Sequence, residues 1–373
     1  MDKSTFKLSV LAAVAPLLLT ACGLDDRQGS ASPSDAGSEP IVFGTELLMD
    51  EGGYRPSTRA AGQISDIAAL RSSDGFGVFA SQTGTRQYGL SDATPDFMYN
   101  QRVTYSGGWT YAPQMYWPGT DDGDGKSYVS FFAYAPYSNG NDSDPSGNPE
   151  GYCIPQFSSF HAVGNPYLIY RLHSDPARQV DLLCASPLID CNKQDQNGEK
   201  LRFQFRHALA TVGDGMSIVL SSGLKAQLRS LVNGGSVTSV SLRLTSASVT
   251  YHLTERGQLS LWFDGTPEWR TFLTEDVLTD RTVTMFSGGS QELYSYNGTA
   301  ETATPFTLNG KGLFYIPAHS TGHEQKADFT VSYAIVTAGS SASTSSVTVT
   351  GTVTLSDYDA YAPGKKMDLN INL

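Results

Sequence analysis

The sequence predicts an all-β fold made of two tandem β-sandwiches, and three observations support this prediction. From Ile41 onward, short runs rich in Val, Phe, Tyr and Thr recur along the chain. Turn-forming Gly, Asn, Asp and Pro separate these runs, which is typical of successive strands and not of alternating strands and helices. The length of 373 residues favours two domains over one.

The first residues form an export signal. Lys3 and Lys7 precede the apolar run from Leu8 to Leu19, whose 12 residues suit a signal-peptide core but cannot cross a bilayer. The run leads into Leu-Thr-Ala-Cys, which resembles the bacterial lipobox, where a signal peptidase cuts before a lipid-bearing cysteine. We therefore predict a lipoprotein signal peptide over residues 1–21 with lipid on Cys22. An ordinary Ala-rich cleavage site is the alternative.

The next segments are a tether and a first strand. Residues 22–39 consist mainly of Gly, Ser, Pro and acidic residues, the composition of a flexible linker. The run from Ile41 to Met49 then reads as a strand. Its large apolar residues fall on one face by the period of two, and they are Ile41, Phe43, Leu47 and Met49.

Residues 50–63 form a connector rich in Gly, Ser and Pro that contains two arginines. Exposed connectors of this composition are preferred sites of proteolysis. Arg55 precedes a proline, which makes a poor cleavage site because the ring fixes the backbone and removes the amide hydrogen. We therefore predict processing between Arg59 and Ala60. The alternative is that both arginines are solvated loop residues.

The remaining chain divides into two predicted sandwiches, residues 40–212 and 213–373. A helix is predicted from Ser222 to Val232, because leucines recur there at helical spacing. The closing segment is predicted to be a strand, since its apolar residues alternate with polar ones; they are Met367, Leu369, Ile371 and Leu373. This strand either completes its own sandwich, the reading we favour because no further strand follows it, or is donated to another subunit.

No catalytic, metal or cofactor motif is complete, so we expect a protein that is not an enzyme and has no cofactor. The stretch GDGKS at 123–127 lacks the first glycine of a phosphate loop, and HEQKA at 323–327 has Ala327 where a zinc-protease motif needs histidine. His207 is expected to be structural. The net charge of −12 argues against nucleic acid as a partner. Cys184 and Cys191 either form a short disulfide or remain thiols.

Six ordered segments carry a family resemblance: GVFAS (77–81), DFMYNQRVTYSGGWTYAP (96–113), YWPG (116–119), SFFAYAPY (130–137), QVDLLCA (179–185) and FQFRHALATV (203–212). They resemble the fimbrillin family, the Mfa-like or type V pilins of Bacteroides-like bacteria. A looser likeness continues in LFYIPA (313–318) and YAPGKKMDLNINL (361–373).

The resemblance implies transthyretin-like sandwiches, lipid anchoring in the outer membrane at the cell surface, and cleavage by an arginine- or lysine-specific protease. It also implies that a strand of the next fimbrial subunit fills the groove left by the removed first strand, as in other cases of strand addition. The expected partners are therefore other fimbrial subunits, the protease, the outer membrane and a host or bacterial surface ligand.

A second functional class stays open, a non-polymerising surface lipoprotein that binds glycan or peptide. Exposed tryptophans would serve such a protein as stacking platforms. The candidates are Trp109, Trp117, Trp262 and Trp269. Core packing is the favoured role for each of them.

Overall fold

A computed structural model of the protein describes residues 39–48, 64–83, 97–118, 128–139, 153–157, 166–173, 175, 178–196, 198–263, 267–270, 279–310, 312–317, 325–355 and 363–373. Strands dominate these residues, which confirms the predicted all-β fold. The three described helices are α1 (Ile67–Ser72), α2 (Lys193–Gln196) and α3 (Ser222–Ser230).

An eight-stranded sheet forms the centre of the N-terminal sandwich. Its strands are β1 (Phe43–Leu47), β2 (Phe76–Thr83), β3 (Met98–Tyr105), β4 (Trp109–Thr110), β5 (Tyr128–Ala135), β8 (Leu183–Ala185), β9 (Leu188–Cys191) and β10 (Leu201–His207). Their order is β1-β10-β8-β5-β2-β3-β4, with β9 beside β5. A turn at residues 106–108 joins β3 to β4, and the Ser106 amide donates to the Gly108 carbonyl over 2.9 Å.

Both faces of this sheet are apolar, because its central strands bury side chains in both directions. Phe76 and Val78 pack on one side, under α1 and the segment 109–117. Phe79 points to the other side, where a second sheet covers it. That sheet has the order β14-β13-β7-β6, with β6 (Cys153–Phe157), β7 (Pro166–Arg171), β13 (Arg256–Ser260) and β14 (Glu268–Arg270).

The C-terminal sandwich consists of two further sheets around a separate core. The smaller sheet has β11 (Ala210–Val219) between β22 (Lys366–Asn372) on one side and β18 (Phe306–Asn309) with β19 (Leu313–Tyr315) on the other. The larger sheet has the order β17-β16-β12-β20-β21, with β15 also beside β12. Its strands are β12 (Ser239–Leu253), β15 (Thr279–Phe286), β16 (Gln291–Tyr296), β17 (Glu301–Ala303), β20 (Lys326–Ala338) and β21 (Ser343–Thr354).

Local patterns agree with these elements in most places. The predicted helix is α3, which begins after the capping residue Ser221 and buries Leu228. Two runs in which apolar and polar residues alternate, at 239–244 and 248–253, form the single strand β12. A register shift between Leu244 and Ser246 lets this long strand continue as it bends.

The predicted boundary between the two sandwiches, at residue 212, stays a prediction. The strand pairing near this residue is as follows. β10 and β11 follow each other in the chain, yet β10 lies in the N-terminal sandwich and β11 in the C-terminal one. In addition, β13 pairs with β7 from Arg256 to Ser260, so part of the later chain completes the N-terminal sandwich.

Candidate functional site

The first strand lies in a slot with hydrogen-bond partners on both sides. On one side β1 runs parallel to β10, with Phe43 opposite Leu201 and Leu47 opposite Phe205. On the other side the Ile41 amide donates to the Met115 carbonyl over 3.0 Å. This second wall was not predicted. Removal of residues 39–47 would therefore leave backbone groups without partners along β10 and, on the other side, at Met115 and Trp117.

Apolar side chains hold β1 in this slot. Ile41 and Phe43 are 0% and 2% exposed, respectively. The Phe43 ring centroid lies 5.2 Å from that of Tyr111, 5.4 Å from that of Phe203 and 6.0 Å from that of Phe131. Leu47 is partly buried against the same core. Burial of Ile41 and Phe43 alone contributes about 3–6 kcal/mol, at about 1.5–3 kcal/mol for each side chain.

Two polar side chains also fix the strand at Ile41. The Tyr111 hydroxyl donates to the Ile41 carbonyl over 2.9 Å, and the Gln114 amide donates to the same oxygen over 2.9 Å. Burial raises the pKa of Tyr111 to about 12, although hydrogen bonds with Met115 and Gln114 oppose this shift. The phenol therefore remains protonated and keeps its donor role up to strongly alkaline pH.

Ile64, which follows the predicted connector in the sequence, is held by a hydrogen bond to a buried side chain. The Ile64 amide donates to Asp181 Oδ2 over 3.3 Å, and the same oxygen lies 2.8 Å from His207 Nδ1. The side chains of Asp181 and His207 are both buried, which agrees with the structural role expected for His207. The sequence did not reveal Asp181 as its partner. Met49, Arg55, Arg59 and Ala60 lie outside the described residues, as does Cys22. The predicted lipidation and cleavage sites thus stay predictions.

The closing strand β22 lies in the C-terminal sandwich of its own chain. It runs parallel to β11, with Leu369 opposite Met216 and Ile371 opposite Ile218. Leu369 and Ile371 are 6% and 4% exposed, respectively, and Met367 and Leu373 pack partly buried against the same core. The predicted apolar face is therefore the face that packs inward, and donation of the strand stays a prediction.

Polar side chains bind β22 to β11 in addition. Lys366 Nζ lies 2.5 Å from Asp214 Oδ2, and the Asp214 side chain is 4% exposed. The Gly215 amide donates to Asp368 Oδ1 over 2.9 Å. The Ser217 hydroxyl donates to Asn370 Oδ1 over 2.6 Å. These side-chain contacts make the pairing of β22 specific to β11.

The tryptophans contact the cores. Trp117 and Trp269 are buried, and Trp109 and Trp262 are partly buried against the two cores of the N-terminal sandwich. Trp109 also donates from its indole nitrogen to Thr45 Oγ1 over 2.9 Å, so it contributes to the β1 slot. The favoured core role is thereby confirmed for Trp117 and Trp269, which cannot serve as surface stacking platforms.

The cysteines and possible metal ligands complete the survey of reactive groups. Cys184 and Cys191 are buried thiols that do not form a disulfide with each other. Cys184 packs on one face of the eight-stranded sheet and Cys191 on the other, so the sheet separates them. Burial raises the pKa of the Cys184 thiol. Within the described ranges, no three His, Cys, Asp or Glu residues are placed to hold a metal ion.

The fold and the slot define an all-β protein whose N-terminal strand is an insert between two walls. The sequence model of the fimbrillin-like family matches residues 58–214. The predicted resemblance is therefore confirmed over this range. No curated protein matches the sequence.

The chain is similar to solved structures of proteins from Bacteroides. A fimbrial protein from Bacteroides vulgatus is 18% identical with a TM-score of 0.56, over 89% of this chain and 95% of that one. A putative cell adhesion protein from Bacteroides uniformis is 13% identical with a TM-score of 0.36, over 81% and 86% of the two chains. The first of these shares the overall fold. None of the described helices is long and apolar enough to span a membrane.

Proposed function

We propose that this chain is a structural and adhesive subunit of surface fimbriae and not an enzyme. The observation that carries the proposal is the placement of β1, whose buried Ile41 and Phe43 complete the N-terminal core. In the sequence, the predicted connector at residues 50–63 follows this strand. One cut in the connector would therefore allow β1 to leave. The N-terminal core would then need another strand in its place.

The chemistry of the slot explains why a replacement strand would bind. Its two walls offer backbone groups to an extended segment, and its floor offers aromatic side chains such as Phe131 and Phe203. Backbone hydrogen bonds supply affinity in strand addition, while alternating apolar side chains supply specificity. A strand from another subunit with large residues at every second position meets both requirements, and successive exchange builds a polymer.

Export and release complete the proposed route. Lipid on Cys22 would hold the precursor at the outer membrane, with residues 22–39 as the tether. Cleavage between Arg59 and Ala60 by an arginine-specific protease would separate the body from the lipid and from β1 together. The match to the fimbrillin-like family and the fold shared with a fimbrial protein support a place at the cell surface.

The test replaces the arginine at the cut. Arg59→Ala in the producing bacterium is expected to leave the chain full length and to abolish the ladder of oligomers on unboiled denaturing gels. Arg55→Ala is the matched control, because it removes the same charge from the same connector and should leave the ladder unchanged. Normal polymers from the Arg59 variant would contradict the proposed route. Monomer from the wild-type chain would instead favour a non-polymerising surface lipoprotein.

A further inference from the structure

The strand β21 presents a long edge at the side of the C-terminal sandwich. Its inner side pairs with β20 along the whole length, from Ser343 to Thr354, and no described strand pairs with its outer side. The 12 residues include neither a charged side chain nor a proline. Proteins normally blunt such an edge with lysine, proline, a bulge or a covering loop, because the unpaired backbone groups attract another strand.

Other edges in the described part of the chain are protected. β4 has two residues, and β14 and β17 have three each, so these edges are short. β15 carries Asp280 and Arg281, and β22 carries Lys366 and Asp368. β1 carries Glu46, β6 contains Pro155, and β18 and β19 have only four and three residues. Among the residues that the structure describes, nothing shortens, charges or covers the edge of β21.

Side chains hold β21 firmly in register with β20. Thr352 Oγ1 donates to Asp328 Oδ1 over 2.6 Å, and the hydroxyls of Ser332 and Thr348 lie 2.9 Å apart. Gly351 lies against the ring of Phe329 so closely that a Cβ atom there would clash with it. The outer edge is therefore a preformed template and does not need to be ordered on binding.

We propose that this edge binds the β21 strand of a second copy of the chain, antiparallel about a twofold axis at Thr350. This register places Val347 opposite Val353 and Thr348 opposite Thr352 across the axis. In this register, even-numbered residues lie opposite even-numbered residues and odd opposite odd. The exposed Thr side chains of both copies therefore lie on one face of the joined sheet and the half-buried Val side chains on the other.

The absence of charge on β21 makes it the segment best suited to pair with a second copy, because the net charges of two copies repel each other. Each chain carries a net charge of −12, so two copies approach with least repulsion through a segment that has no acidic residue. The pairing joins the two six-stranded sheets into one continuous sheet. It removes no strand from either copy and does not depend on cleavage of the connector, so it goes beyond the proposed function and can fail or succeed independently of it.

A single cysteine tests the twofold axis. Side chains directly opposite each other in an antiparallel pair have Cβ atoms about 4.5–5.5 Å apart, which is close to disulfide geometry. Thr350→Cys in the uncleaved full chain is expected to give a covalent dimer on non-reducing denaturing gels after mild oxidation. Thr284→Cys is the matched control, because Thr284 is an equally exposed threonine on the far edge of the same sheet. The wild-type chain supplies the background from its own cysteines.

Charge exchange at the same position supplies an independent readout. Thr350→Lys and Thr350→Glu each place like charges opposite one another, which should weaken dimerisation about fivefold. Mixing the two variants places opposite charges together and should restore or exceed the wild-type dimer fraction in sedimentation. Equal crosslinking of the Thr350→Cys and Thr284→Cys chains overturns the proposal. So does a dimer fraction that neither charged variant lowers, provided that circular dichroism shows folded protein.

Discussion

β1 and β22 are both end strands that run parallel to a central strand, and the strands they pair with, β10 and β11, are consecutive in the chain. The contacts that hold them differ. β1 relies mainly on aromatic packing around Phe43 and on backbone bonds, and its ion pair between Glu46 and Arg202 is exposed. β22 adds an ion pair between Lys366 and Asp214 that is largely buried. Most contacts of the first kind suit any strand with the same alternation, whereas the buried ion pair is specific to one neighbour.

The largest expected effect comes from charge on the inner face of β22. Leu369→Asp and Ile371→Asp place a carboxylate in the C-terminal core, which should destabilise the uncleaved chain by about 4 kcal/mol or more. Asn370→Asp is the matched control and should be mild, because the exposed carboxylate can still accept the hydrogen bond from Ser217. Thermal unfolding measures all three. Variants that keep the melting temperature of the precursor but fail to polymerise would show instead that β22 is donated.

A smaller loss of stability is expected from a substitution in β1, which packs in the N-terminal sandwich. Phe43→Ala should destabilise the uncleaved chain by about 3–5 kcal/mol, because it leaves a cavity among Tyr111, Phe131 and Phe203. After cleavage and release of the N-terminal segment, the variant and the wild-type body should unfold at the same denaturant concentration. A persistent difference between the two released bodies would mean that β1 does not leave.

The smallest effect concerns Tyr111. Its raised pKa of about 12 means that the unfolded chain, in which tyrosine titrates near pH 10, loses this proton first as the pH rises. Tyr111 therefore contributes stability below about pH 10 that is lost as the pH approaches 12. Tyr111→Phe should cost about 0.5–1.5 kcal/mol at neutral pH through the lost hydrogen bond to Ile41. It should also flatten the alkaline decline of the unfolding free energy, and an equally steep decline in this variant would exclude Tyr111 as its source.

Local alternation in the sequence predicted both end strands and the side chains that they bury. Ile41, Phe43, Leu369 and Ile371 all lie inward as the period of two requires. Alternation cannot name a partner strand, because every amphipathic strand offers the same backbone groups. The parallel pairing of β1 with β10, far apart in the chain, was for this reason not predictable.

The same limit applies to polar pairs and to the path of the chain. Nothing near Asp181 in the sequence marks it as the partner of His207, since only the fold brings the two together. The placement of β13 beside β7 likewise depends on packing between distant segments. Cys184 and Cys191 are close in sequence, but the sheet that separates them could not be inferred from their spacing.

N-terminal sequencing of the subunit in assembled surface fimbriae tests the central claim most directly. If β1 is removed so that another strand can enter its slot, the sequence should begin at Ala60, and no peptide from residues 41–49 should be detected in the polymer. Fimbriae whose subunits still contain Ile41 and Phe43, with the connector uncut, would contradict this account, because the slot would then be filled by its own strand.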